Sequence, residues 1–212
     1  MNEIVITNLL DSINDYVLIK KSEDFPNYLK GSDIDLLVLD EKLAIDDIRK
    51  YFENLESDFS LDISIYNDHF HIDFLLKNQI ELRVDLISNF SSFNKFSIKN
   101  SFKTKIFMDR KKLKFNSSLI YVPSIEDELT IRYFEYLEYF HLFPDKIKHL
   151  DFIINSDKNI MSKVIENSHR FITRNPKVWD YSSNLSIPNS RKGALKNIWL
   201  NISYIFQKTV KR

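Results

Sequence analysis

Apolar and polar residues alternate with a period of two in three successive runs, 59–66, 69–77 and 79–87, which is the period of half-buried strands. Asn67-Asp68 and Asn78 fall between these runs and predict tight turns, so the three read as consecutive antiparallel strands. Two earlier apolar runs, Tyr16-Val17-Leu18-Ile19 and Ile34 to Leu39, predict strands ahead of them. Between the second and third strands, Leu43, Ile45, Ile48, Tyr51, Phe52 and Leu55 recur at helical spacing and predict a helix over 41–56. Ile4, Ile6, Leu9, Leu10 and Ile13 predict a short helix before the first strand, and 104–122 carries short apolar runs that read as a hairpin.

After Pro123 the period becomes helical. Ser124 is placed to cap a helix whose first turn holds Glu126, Asp127 and Glu128, where the helix dipole favours acids. Ile131, Phe134, Leu137, Glu138 and His141 extend its stripe to about 142, and further helices are predicted from Pro144 to about 154, over 159–173 and over 190–210. The expected class is α+β: a mixed sheet with flanking helices over 1–122, then a helical domain over 123–212.

Composition narrows the field. The 212 residues are 43% hydrophobic, enough for a real core, and no stretch reaches the roughly 18 apolar residues of a membrane span. Glu3, Asp11 and Asp15 keep the first twenty residues from reading as a signal peptide. With no cysteine there is no disulfide or thiolate metal site, and with two glycines there is no glycine-rich phosphate loop. Thirty basic and thirty acidic residues cancel, which argues against nucleic acid as the main partner. Arg110-Lys111-Lys112 with Lys114, and Arg191-Lys192 with Lys196, read as solvated surface.

The chemistry concentrates in Lys30-Gly31-Ser32-Asp33-Ile34-Asp35-Leu36-Leu37-Val38-Leu39. A strand sends i and i+2 to one face, so Asp33 and Asp35 point together and need compensating charge. Asp85 sits in a matching alternation, Glu81-Leu82-Arg83-Val84-Asp85-Leu86-Ile87. Three aspartates on two strands make an oxygen-rich site suited to Mg²⁺, which binds few carboxylates and fills its shell with water and substrate phosphates. Two such ions about 4 Å apart serve in-line phosphoryl transfer.

This pattern resembles the nucleotidyltransferase superfamily, the fold shared by polymerase β, aminoglycoside nucleotidyltransferases and minimal bacterial nucleotidyltransferases. That signature is an apolar strand ending in Gly-Ser or Gly-Gly, nine to thirteen residues, Asp-x-Asp on the next strand, then a third acid. Here Tyr16-Val17-Leu18-Ile19 matches the strand, Lys21-Ser22 the Gly-Ser position, ten residues separate Ser22 from Asp33, and Asp33, Asp35 and Asp85 match the acids. The likeness covers residues 15 to 90 and implies a nucleotidyltransferase-like sheet, two Mg²⁺ ions on Asp33, Asp35 and Asp85, an NTP substrate held by Lys21 and Ser22, and a cytoplasmic location where NTP is supplied. The segment Glu23-Asp24-Phe25-Pro26-Asn27-Tyr28-Leu29-Lys30 is similar to nucleotidyltransferase-like proteins associated with bacterial surface-polysaccharide genes, which implies a small acceptor such as a sugar or polyol.

Lys21 departs from the signature, because a glycine there lets backbone approach the triphosphate, whereas lysine brings a Cβ and a charge. Lys20 or Lys21 then offers a cation in place of bare amides. The resemblance also implies that the helical half walls the site, where Lys146 and His149, beside Asp145 and Lys148, are candidates to reach the nucleotide phosphates; a solvated helix face is the competing expectation. The rings from Tyr133 to Phe143 are expected mostly in the core. His69 and His71 share a strand face but lack a third histidine or cysteine for a zinc-type set. Besides an enzyme, a nucleotide-binding or regulatory module that kept the fold fits the residues, as does a toxin-antitoxin nucleotidyltransferase acting on protein or tRNA. No arginine has a histidine four to six residues beyond it, so the RNase paired with some of those systems is not fused here.

Overall fold

The computed structural model of the chain describes residues 4–21, 25–55, 58–66, 69–90, 93, 96–139, 143 and 146–173. The predicted helix over 190–210 and the Arg191 cluster lie outside the described residues. Two compact units emerge, Met1–Ser92 with Ile98–Glu128, and Phe93–Ser97 with Leu129–Arg212. The division falls within a helix a few residues past Pro123.

The first unit runs α1 (Ile6–Ser12), β1 (Tyr16–Leu18), β2 (Ser32–Val38), α2 (Glu41–Glu53), β3 (Ser60–Tyr66), β4 (His69–Leu76) and β5 (Gln79–Ile87), then the second residue of β6 (Ser97–Ile98), α3 (Asn100–Asp109), β7 (Lys111–Phe115), β8 (Ser118–Val122) and the start of α4 (Ile125–Tyr139). Five strands form a mixed sheet in the order β1-β2-β5-β4-β3, with β2 and β5 parallel and the other neighbours antiparallel. The chain is therefore α+β with a mixed sheet, as the hydrophobic pattern predicts. Ile34, Leu36, Ile72, Phe74, Leu82, Val84 and Leu86 form one apolar face in a single core with residues of α1 and α2. Asp40 caps α2, its Oδ1 accepting from Lys42 N and Leu43 N at 2.9 and 3.2 Å.

Turns set the strand pairing. Lys77 and Asn78 both have positive φ, 52° and 61°, as a two-residue hairpin turn between right-twisted strands requires. Gly31 enters β2 at φ 76°, a conformation that penalises a Cβ, and its N–H donates to Glu81 O at 2.9 Å. Where a hairpin alone is expected over 104–122, the structure has helix α3 to Asp109 and a hairpin only from Lys111 to Val122. In α3 just Phe102 and Ile106 are buried, and Met108 is exposed, so its sequence carries too few periodic positions to declare a helix.

The second unit holds the rest of α4, α5 (Ile147–Ile154), α6 (Lys158–Phe171) and β9 (Ile172–Thr173). Ile131, Tyr133, Phe134, Ile153, Val164 and Phe171 are buried. Tyr133 and Phe134 thus serve packing, as expected of the aromatic run. Among the described residues no helix is long and apolar enough to cross a membrane.

Candidate active site

The strand face opposite the apolar core is charged. Across β2, β5 and β4 the pairing register sets Asp35 against Asp85 and Asp85 against His71, and one step away sets Asp33 against Arg83 and Arg83 against Asp73. Because partners in register share a face, Asp33, Asp35, Asp85, His71, Arg83 and Asp73 form two adjacent polar rows on one side of the sheet. The alternation that buries Ile34, Leu36, Val84 and Leu86 underneath is what raises these groups on top.

Asp35 and Asp85 are each engaged. Lys20 Nζ lies 2.8 Å from Asp35 Oδ2, both side chains 23% exposed. His71 Nδ1 lies 2.7 Å from Asp85 Oδ1. That contact is a close approach rather than an aligned hydrogen bond, since Asp85 Oδ1 is shut off from solvent and accepts none of acceptable geometry. Burial, then the neighbouring Asp35 charge, pushes the Asp85 carboxyl up to about 6; His71 opposes the rise, Asp33 adds to it, and Arg83 opposes it. Asp33 is exposed at the start of the strand.

Arg83 is fixed by Asp73 in a two-pronged pair, Nε donating to Oδ1 at 2.6 Å and Nη2 to Oδ2 at 2.7 Å. The Asp73 hydrogen bonds, which outweigh the opposing effect of burial, together with the Asp73, Asp85 and Asp33 charges hold the guanidinium firmly protonated. A permanent cation thus stands in register between Asp33 and Asp73, two residues before Asp85 on its own strand.

Three carboxylates on one face, one exposed and two half-buried, are a donor set whose chemistry fits a hard divalent cation. Among the described residues no three acidic or histidine side chains stand around one point; Asp35 is turned to Lys20 and Asp85 to His71.

The remaining predicted residues fall elsewhere. Lys21 is half-buried just after β1, and Ser22 lies outside the described residues. Lys146 and His149 belong to the second unit, where Glu135 Oε2 is 3.8 Å from Lys146 Nζ and 3.3 Å from His149 Nε2. His149 is 4% exposed, which corrects the expectation of a solvated face for that residue: only Lys148 of the group is exposed, and Asp145 lies outside the described residues. Arg110 stacks on Tyr121 at 4.4 Å and pairs with Asp15 at 3.2 Å, while Lys111, Lys112 and Lys114 are exposed, as a solvated cluster should be.

Sequence reasoning missed the partners His71, Arg83 and Asp73. Counted outward from the Lys77-Asn78 turn, a regular hairpin would pair Asp73 with Leu82 and His71 with Val84. The irregularity between Phe74 and Leu75 moves the register by one, so that Asp73 meets Arg83 and His71 meets Asp85. Opposite charges at Asp73 and Arg83 were the one signal of that shift in the sequence.

No protein-family model matches the chain, and comparison with curated proteins gives no match.

Proposed function

We propose that this chain is a metal-dependent nucleotidyltransferase that moves NMP from an NTP onto a hydroxyl or phosphate of a small acceptor, in the sugar or polyol class. The observation that carries the reading is the shared face of Asp33, Asp35 and Asp85 on parallel neighbouring strands, with Asp35 and Asp85 directly in register. Asp33, Asp35 and Asp85 would hold two Mg²⁺ ions, whose chemistry when bound is to neutralise the triphosphate and favour the ionised acceptor.

The protein's own groups have distinct tasks. Asp85, in register beside Asp35 on the neighbouring strand, would take the proton of the acceptor hydroxyl. The acceptor oxygen forms a bond to the α-phosphorus as the bond to the bridging β-phosphate oxygen breaks, and the electron pair leaves on pyrophosphate. Lys21 and Ser22 hold the triphosphate, with a lysine charge in place of the close backbone approach that glycine permits. Lys146 and His149 are left out of the phosphate contacts because both face Glu135.

A second reading, a nucleotide-binding module without turnover, is favoured by Lys21 in the phosphate loop and by the Lys20–Asp35 ion pair. Pyrophosphate release separates the two. Wild type incubated with each of the four NTPs, Mg²⁺ and a panel of sugars and polyols should release pyrophosphate with at least one combination, and Asp35→Asn should lower that rate by at least about a hundredfold. Tight Mg²⁺-dependent NTP binding without pyrophosphate release across the panel would favour the binding module instead.

A further inference from the structure

A cavity of 660 Å³ opens beside the carboxylates, within the first unit, at the end of the sheet where β1 finishes and β2 begins. Its size is that of a small-molecule site, roughly 300–1,000 Å³. Ile6, Leu18 and Ile34 contribute apolar side chains, Phe25 and Tyr28 contribute rings, and Lys20, Asn27 and Asp33 stand among them. Lys20 and Asp33 therefore belong both to this cavity and to the charged face, and join the two at the end of the sheet.

The wall is held in place before any ligand arrives. Phe25 meets Phe115 edge-on, ring centroids 4.9 Å apart. The segment that follows is tied at its end: Ser32 N donates to Leu29 O at 2.9 Å, Leu29 N donates to Ser32 Oγ at 3.1 Å, and Lys30 Nζ reaches Glu81 at 2.7 Å and Gln79 at 2.8 Å. Such pre-ordering reduces what a ligand must pay to bind.

Resting on the nucleotidyltransferase reading, we propose that this cavity takes the nucleoside end of the NTP, with Phe25 and Tyr28 against the base and Asn27 reading its edge. Three observations favour a nucleoside over a sugar or polyol acceptor. The walls are mostly apolar and aromatic, which suits a flat ring and leaves the hydroxyls of a polyol unsatisfied. Asn27 is exposed and carries both a donor and an acceptor, the pattern a base edge presents. Lys20 and Asp33 lie at the join between cavity and carboxylates, where the phosphates of the same molecule would run.

The test is calorimetric titration of the full chain with ATP, GTP, CTP, UTP and inorganic tripolyphosphate, each with saturating Mg²⁺, against wild type, Tyr28→Ala, Phe25→Leu and Asn27→Ala. Wild type should bind at least one NTP about tenfold or more tightly than tripolyphosphate. Tyr28→Ala and Phe25→Leu should each lose about tenfold in NTP affinity with tripolyphosphate unchanged, and Asn27→Ala should narrow the differences among the four bases. NTP affinity unchanged in all three variants would overturn the assignment and leave the phosphate site standing. Equal loss for NTP and tripolyphosphate would also overturn it, because the variants would then act through the fold. Absence of binding by both ligands to wild type would remove the nucleotidyltransferase reading itself, and the cavity assignment with it.

Discussion

At Asp85 two influences meet: burial and the Asp35 and Asp33 charges favour the protonated acid, while His71 and Arg83 favour the carboxylate. The folded value of about 6 lies above the ordinary 3.8, so the fold prefers the neutral form. The stability this lends is complete below the ordinary value and is lost as pH rises through about 6. Asp85→Asn, neutral throughout, should therefore gain on wild type between pH 4 and 7 without Mg²⁺, by about 1–2 kcal/mol once solvent screening is allowed for. Urea unfolding at a series of pH values measures this, and a difference that stays flat with pH would contradict it. Asp33, Asp35 and Asp85 are legible in the sequence because alternation alone assigns a face. His71 and the Arg83–Asp73 pair are not, because a cross-strand partner depends on a register that the bulge at Phe74–Leu75 shifts without any local apolar signal.

Among the elements, α3 and α4 are joined by a cluster that includes a fully buried charge. Asp127 is 0% exposed; Ser124 Oγ donates to its Oδ2 at 2.9 Å and accepts from its backbone N at 3.2 Å, and Lys105 Nζ reaches its Oδ1 at 2.6 Å. Asp127→Ala removes the reciprocal cap and leaves Lys105 with Asp109 alone, 2.9 Å away on its own helix, so it should destabilise the first unit by about 1–3 kcal/mol in urea unfolding, and a loss below about 0.5 kcal/mol would mean that the cluster is dispensable. Ser124 as the cap is readable from sequence, since a hydroxyl followed by acids precedes a helical period. Helix α3 is not, since Phe102 and Ile106 are its only buried positions, and its link to α4 rests on Lys105, which in isolation reads as one more surface lysine. The strands from β3 to β5 are legible nearly to the residue, because a strict period of two is bounded by turns.

For the whole molecule, the balance of thirty basic and thirty acidic residues means that no strong overall field gathers a polyanion, so recognition of an NTP has to come from local groups: Lys20 and Lys21 after β1, the aspartates on β2 and β5, and the cavity beside them. The helical unit carries its own polar set, buried His149 with half-buried Glu135 and Lys146, and has no role in the proposed phosphate contacts. What ties sequence to chemistry is thus a small part of the chain, residues 16–38 and 69–87, in which the apolar face builds the sheet and the charged face is left to bind. The most direct measurement is a crystal structure of the chain grown with Mn²⁺ and a non-hydrolysable NTP analogue, read by manganese anomalous scattering. Manganese should contact Asp33, Asp35 and Asp85, with Lys20 Nζ drawn away from Asp35 Oδ2. Unchanged Lys20–Asp35 and His71–Asp85 pairs, with no manganese on the three aspartates at saturating concentration, would contradict the proposed site.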